Sequence, residues 1–97
     1  MSTKELVKKS VDLKIPKRYK VVLLNDDFTT MEFVVGILMD IFGHNSERAV
    51  AIMLAIHEKG KGVCGIYTKE IAETKATQVH KSARANSFPL RAILEEE

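Results

Sequence analysis

The chain is expected to fold as an α+β unit, a three-stranded antiparallel sheet packed against three helices in the order strand, helix, helix, strand, helix, strand. Three observations predict this class. Apolar residues alternate between short contiguous runs and stretches at helical spacing. Asn, Gly or Pro punctuates nearly every change of pattern. The link between the first two helices is only Gly43 to Asn45, which predicts a tight helical hairpin. Helices that cover one face of one sheet form a two-layer sandwich.

The first strand is read at Val21 to Leu24, a β-branched and leucine run that stops at Asn25-Asp26-Asp27. Asn and Asp end such runs because their side chains bond nearby backbone. Thr29 has Glu32 three positions on, the spacing of a capping box, so a helix is expected to start there. Met31, Val34, Val35, Leu38, Ile41 and Phe42 recur at helical spacing, and Gly43 supplies the stop.

Ser46 is the expected cap of the second helix, whose apolar face is Ala49, Ile52, Met53 and Ile56 and whose end is Gly60. Gly62 to Thr68 has a strand's composition, weakened by Gly65. Thr68 is read as the cap of a third helix with Ala72, Ala76, Val79 and Ala83 facing the sheet. Its outward residues would be Glu70, Glu73, Lys75, Lys81 and Arg84. The helix should end near Asn86, ahead of Pro89. Arg91 to Leu94 is the last strand, followed by an acidic tail over Glu95 to Glu97.

Residues 1–18 are expected to be a flexible N-terminal extension and residues 19–97 the folded domain. The extension carries Lys4, Lys8, Lys9, Lys14, Lys17 and Arg18 against Glu5 and Asp12, a net +4 that exceeds the +2 of the whole chain. Sparse aliphatics and no aromatic leave it little to bury. Ninety-seven residues provide one core but no deep catalytic cavity, which favours a binding module over an enzyme. The single Cys64 precludes an internal disulfide, and no apolar block is long enough to span a bilayer or resemble a secretory leader. A cytoplasmic monomer, without membrane or nucleic-acid partner, is expected.

The residues with chemistry are Asn25, Asp26 and Asp27 beside His57. Met53, Ile56 and His57 stand at i, i+3 and i+4 on a helix, which puts the imidazole at the edge of an apolar stripe. An Asn carbonyl, a carboxylate and a neutral imidazole nitrogen all accept hydrogen bonds, whereas an ammonium offers three donors. A polar rim beside an apolar floor suits a ligand with one charged end and one greasy end. Catalytic and metal readings are weaker. Cys64 lies in an apolar strand, the His and Cys spacings match no zinc motif, and the carboxylates are too few for a calcium loop. No cofactor, metal or catalytic residue is expected, and the glycines fit no phosphate-binding fingerprint.

NDDFTTMEFV, MLAIHEKGKGVCGIYTKEIAETK and the later Pro89-Leu90 pair resemble the ClpS family, adaptors that hand N-degron substrates to the Clp AAA+ protease. The likeness runs from about Tyr19 to Leu94. One departure is Thr30 where many relatives carry Pro, a tolerable change at a helix start. The resemblance implies α-amino-group binding by Asn25, Asp26, Asp27 and His57. It implies a hydrophobic pocket of Leu24, Thr29, Met31, Val34, Met53, Ile56 and Leu90 that prefers N-terminal Phe, Leu, Tyr and Trp, with Met31 as a gate against β-branched residues. Glu70 and Lys75 would dock on the N-terminal domain of a ClpA-like ATPase. The alternatives are a module like the factor-binding domain of the ribosomal stalk protein, or weak nucleic-acid binding through Lys17, Arg18 and Lys20.

Overall fold

The computed structural model describes residues 15–97. Most of the proposed N-terminal extension lies outside the described residues. The elements are β1 (Arg18–Leu24), α1 (Met31–Asp40), α2 (Ser46–Lys59), β2 (Lys61–Thr68), α3 (Lys69–Ala85) and β3 (Arg91–Glu96). The α+β class, the element order and the three-stranded antiparallel sheet are as expected, with strand order β2-β1-β3.

β1 is the central strand and starts at Arg18, three residues before the apolar run. Val21, Val22 and Leu23 are all buried. Val21 and Leu23 join the core beneath the helices, whereas Val22 is flanked in register by Val63 and Ile93. The helices close the core with Val34, Ile37 and Leu38 from α1, Ala49, Ile52 and Ile56 from α2, and Ala72, Ala76, Val79 and Ala83 from α3. Ala72, Ala76 and Ala83, with Val79 between, let α3 lie close to the sheet, as their spacing predicts.

β2 is irregular. Val21 pairs with Gly65 and Val22 with Val63, so Cys64 is an extra residue, a bulge. The bulge turns both Cys64 and Gly65 toward the inner face, which explains the weak strand signal at Gly65. Its unladdered carbonyl accepts from His44 Nε2 at 2.6 Å, and the helical hairpin is thereby tied to the sheet. Gly65 is also the residue over which the Tyr67 side chain folds; a Cβ there would collide with the phenol ring.

Several local expectations are corrected. The N-cap of α1 is Thr30, not Thr29, with Thr30 Oγ1 accepting from the Phe33 N–H at 3.2 Å. Thr29 is diverted because its hydroxyl donates to Asp26 Oδ2 at 2.7 Å. Asn45, not Ser46, caps α2 through a bond from the Arg48 N–H at 2.8 Å. Thr68 occupies the cap position of α3 but makes no side-chain cap bond. Gly43, at φ 73°, ends the turn after α1 as expected.

The expected acidic tail is instead mostly strand, since Glu95 and Glu96 extend β3 opposite Lys20 and Tyr19. Glu95 pairs with Lys61 at 3.0 Å and Glu96 with Lys17 at 3.2 Å. Arg18 meets Glu97 with two parallel bonds of 2.7 and 2.8 Å. Lys75, expected to point outward, is half-buried: its ammonium donates to the Ile41 carbonyl at 2.7 Å and sits 5.8 Å from the Tyr67 ring centre.

Candidate functional site

Where β1 hands over to α1, the chain passes through Asn25 to Thr30, and the last turn of α2 lies alongside. The Asn25 N–H donates to the Gly60 carbonyl at 2.8 Å, which staples this loop to the end of α2. Gly60 can be the C-cap because it adopts φ 88°, and its own N–H closes on the Ile56 carbonyl at 2.9 Å. His57, in that last turn, is thereby brought level with Asn25.

Between these segments lies an open cleft of about 420 Å³. Asn25, Asp26, Asp27 and His57 line it on the polar side, with Met31, Val34, Met53 and Ile56 on the apolar side. Val34 and Ile56 are buried and form a fixed floor, and Met31 is 44% exposed at the mouth. The floor is set by close packing: Ile56 approaches Gly62 so nearly that a Cβ there would lie 2.7 Å from Ile56 Cγ1.

The acid groups of the rim differ. Asp26 Oδ1 accepts from the N–H groups of Phe28 at 2.8 Å and Thr29 at 2.6 Å, while Oδ2 takes the Thr29 hydroxyl. Partial burial pulls the Asp26 pKa up, but hydrogen bonds from Thr29 and Phe28 and the field of Arg84 together hold it below the ordinary carboxylate value. Asp26 therefore orders the loop. Asn25, Asp27 and His57 are exposed, and among the described residues their side chains have no hydrogen-bond partner. Their acceptor atoms are open to solvent.

The other expected pocket residues are placed differently. Thr29 lines the cleft, but Leu24 and Leu90 do not. Leu90 is fully buried in the core, and Leu24 lines a shallower recess behind the loop, with Asn25, Asp26, Pro89 and Arg91. Phe28 and Thr30 line the cleft without having been singled out. Phe28 is 76% exposed, and its signal in the sequence is an aromatic set among the polar residues of Asp-Asp-Phe-Thr-Thr.

Glu70 and Lys75 lie on α3, and neither lines the cleft. Glu70 is exposed and borders a surface groove with Lys17, Tyr19 and Lys69. Among the described residues no cluster of three metal-binding side chains exists, and no helix is long and apolar enough to cross a membrane. Cys64 is unsuited to nucleophilic work, since burial pushes its thiol up to about 12. His80 Nε2 accepts the Ala92 N–H at 3.0 Å.

Comparison with known proteins agrees with this geometry. Residues 14–93 match the family described as ATP-dependent Clp protease adaptor protein ClpS. The chain is 58% identical over 85 residues to the ATP-dependent Clp protease adapter protein ClpS of Oleidesulfovibrio alaskensis, covering 88% of this chain and 82% of that one. With the protein of the same name from Acetivibrio thermocellus it shares 54% identity over 99 aligned positions and the full length of both. Among solved structures, Agrobacterium tumefaciens ClpS2 bound to L-phenylalaninamide matches with a TM-score of 0.83 and 37% identity, covering 86% of this chain and all of that one. The chain belongs to the ClpS family of Clp protease adaptors.

Proposed function

We propose that the cleft captures the free N-terminal residue of a protein to be degraded, with a bulky apolar side chain (Phe, Leu, Tyr or Trp), and that the chain delivers that substrate to a ClpA-like ATPase. Three open acceptors, Asn25, Asp27 and His57, stand beside a floor of Met31, Val34, Met53 and Ile56. That juxtaposition carries the reading. An α-ammonium group fits the acceptors and the first side chain the floor. L-phenylalaninamide, the ligand of the related ClpS2, has this chemistry: a free amine, a benzyl side chain and a blocked carboxyl.

Asp26 serves by ordering the loop, so the amine-binding set narrows to its three neighbours. Met31, at the mouth, is the gate that disfavours branching at the ligand's Cβ. Burial of a Leu or Phe side chain supplies about 1.5 to 3 kcal/mol, and each hydrogen bond to the ammonium about as much. Less the cost of association, the sum is on the order of micromolar affinity. Two methionines in the lining adapt to several side-chain shapes.

The ATPase is met on another face. Glu70 is the exposed docking residue, and Lys75 supports that face from beneath while keeping donors to spare. A nucleic-acid role is disfavoured because Lys17 and Arg18 are matched by Glu96 and Glu97. The reading describes a non-catalytic cytoplasmic monomer. Its test is a binding series with peptides that differ only in the first residue or in acetylation of the amine. Free Phe- and Leu-initiated peptides are expected to bind and acetylated or Ser-initiated ones to fail; equal binding by all would overturn it.

A further inference from the structure

Arg84 stands on the exposed side of α3, where the sequence suggests only a solvated cation in a helix's last turn. Its Nη1 instead donates to two carbonyls of the following loop, Phe88 at 2.6 Å and Leu90 at 3.2 Å. That loop is otherwise held by the Phe88 N–H on the Ala83 carbonyl at 2.8 Å and by the Phe88 ring, 4.8 Å from that of Phe33 on α1. It turns through Ser87 at φ 60°, a conformation a serine adopts only when its surroundings impose it.

Pro89, between the two clamped carbonyls, borders a recess of about 230 Å³ whose opposite wall is Leu24, Asn25 and Asp26. Asn25 and Asp26 thus face the ligand cleft on one side and the Arg84-clamped loop on the other. The guanidinium charge also favours the ionised form of Asp26, the form that gathers the Phe28 and Thr29 N–H groups. Among the described residues no carboxylate forms an ion pair with Arg84, so its charge is not spent on a closer partner.

We propose that Arg84 is a positioning residue for the amine site: by clamping the loop from Phe88 to Leu90, which walls the recess behind Asn25 and Asp26, it holds the Asn25–Asp27 turn in its ligand-binding form. The inference rests on the amine-site reading above. A cation that merely complements the helix end would alter stability alone. A positioning residue alters affinity and the state of the loop.

The experiment measures affinity for a Phe-initiated peptide in the full chain carrying Arg84→Met, Arg84→Gln or Arg84→Lys, alongside amide NMR spectra of each variant and an Asn25→Ala control. Arg84→Met is expected to weaken binding about 5-fold, comparable to the net contribution of one ordinary hydrogen bond, and to shift the Phe28 and Thr29 amides while those of Leu23 and Val79 stay put. Arg84→Lys should restore affinity to within about 2-fold, because it keeps the charge and one donor. Arg84→Gln keeps an amide donor without charge and should fall between them, and it carries the test should the Met variant not fold. The proposal is overturned if Met and Gln bind like the parent while Asn25→Ala binds poorly. It is equally overturned if binding falls without movement of the Phe28 and Thr29 amides or rescue by Lys. Indifference of affinity to both Asn25→Ala and amine acetylation would instead bring down the amine-site reading itself.

Discussion

At the end of the sheet where β1 begins, Lys17 meets Glu96 of β3 and Arg18 meets Glu97, the residue after it. At the other end of β1, Asn25, Asp27 and His57 stand open around an apolar floor. The same strand therefore joins a region whose charges are paired within the chain to one whose polar side chains are left without partners among the described residues. Paired surface charges contribute little to stability and nothing to recognition. Acceptors without partners, gathered beside an apolar cleft, are what the proposed amine site draws on.

The largest effect should come from the ligand. Acetylating the amine of a Leu-initiated peptide removes the charge and is expected to weaken binding by about 100-fold or more, read by fluorescence anisotropy. Next, Asn25→Ala and Asp27→Ala should each cost about 1 to 3 kcal/mol of binding with little change in Tm. If Asp26→Ala lowers Tm as well as affinity, the division between ordering and contacting groups is sharpened; unaltered Tm would break it.

Gly62→Ala comes third. The new methyl would force Ile56 to shift, at about 1 to 3 kcal/mol of stability, and would alter which first residues the floor accepts. A Tm and specificity profile like the parent's would show that the floor is softer than its packing implies. Smallest should be Arg18→Ala at the paired end, which is expected to leave peptide affinity unchanged and Tm nearly so.

A pH effect separates the histidines. Burial, then the fields of Arg84 and Arg91, hold the His80 pKa below the ordinary imidazole value of 6.5, despite the bond from the Ala92 N–H. Because the folded state binds this proton less readily than the unfolded chain, the contribution is complete above 6.5 and is lost progressively as pH falls toward the depressed value. Tm should therefore decline from pH 7 to 5, and His80→Gln should flatten that slope. An equal slope in the variant would assign the acid sensitivity elsewhere.

The regular elements were legible because their cause is local: a β-branched run, small or apolar residues every three or four positions on α3, and glycines at helix ends. The meeting of Asn25–Asp27 with Met53, Ile56 and His57 at one cleft follows from the strand end and the helical stripe, with the family resemblance proposing its use. Thr29 and Thr30 were not separable, because the choice of cap depends on which hydroxyl Asp26 takes. The bulge at Cys64 follows from pairing against Val21 and Val22, and the direction of Lys75 from a free carbonyl on another helix. The strand at Glu95 and Glu96 follows from cations about 75 residues away in sequence. Long-range partners decide these features, and no local pattern announces them.

Cys64 has one last consequence. β2 borders the sheet and carries half-exposed Val63 and Ile66, the kind of margin on which stray extended chains accumulate. An additional residue midway along it breaks the even spacing of backbone donors and acceptors, so an intruding strand would fall out of step after two or three bonds. An adaptor that handles partly unfolded chains can in this way keep its border clear of them, without resort to further charge.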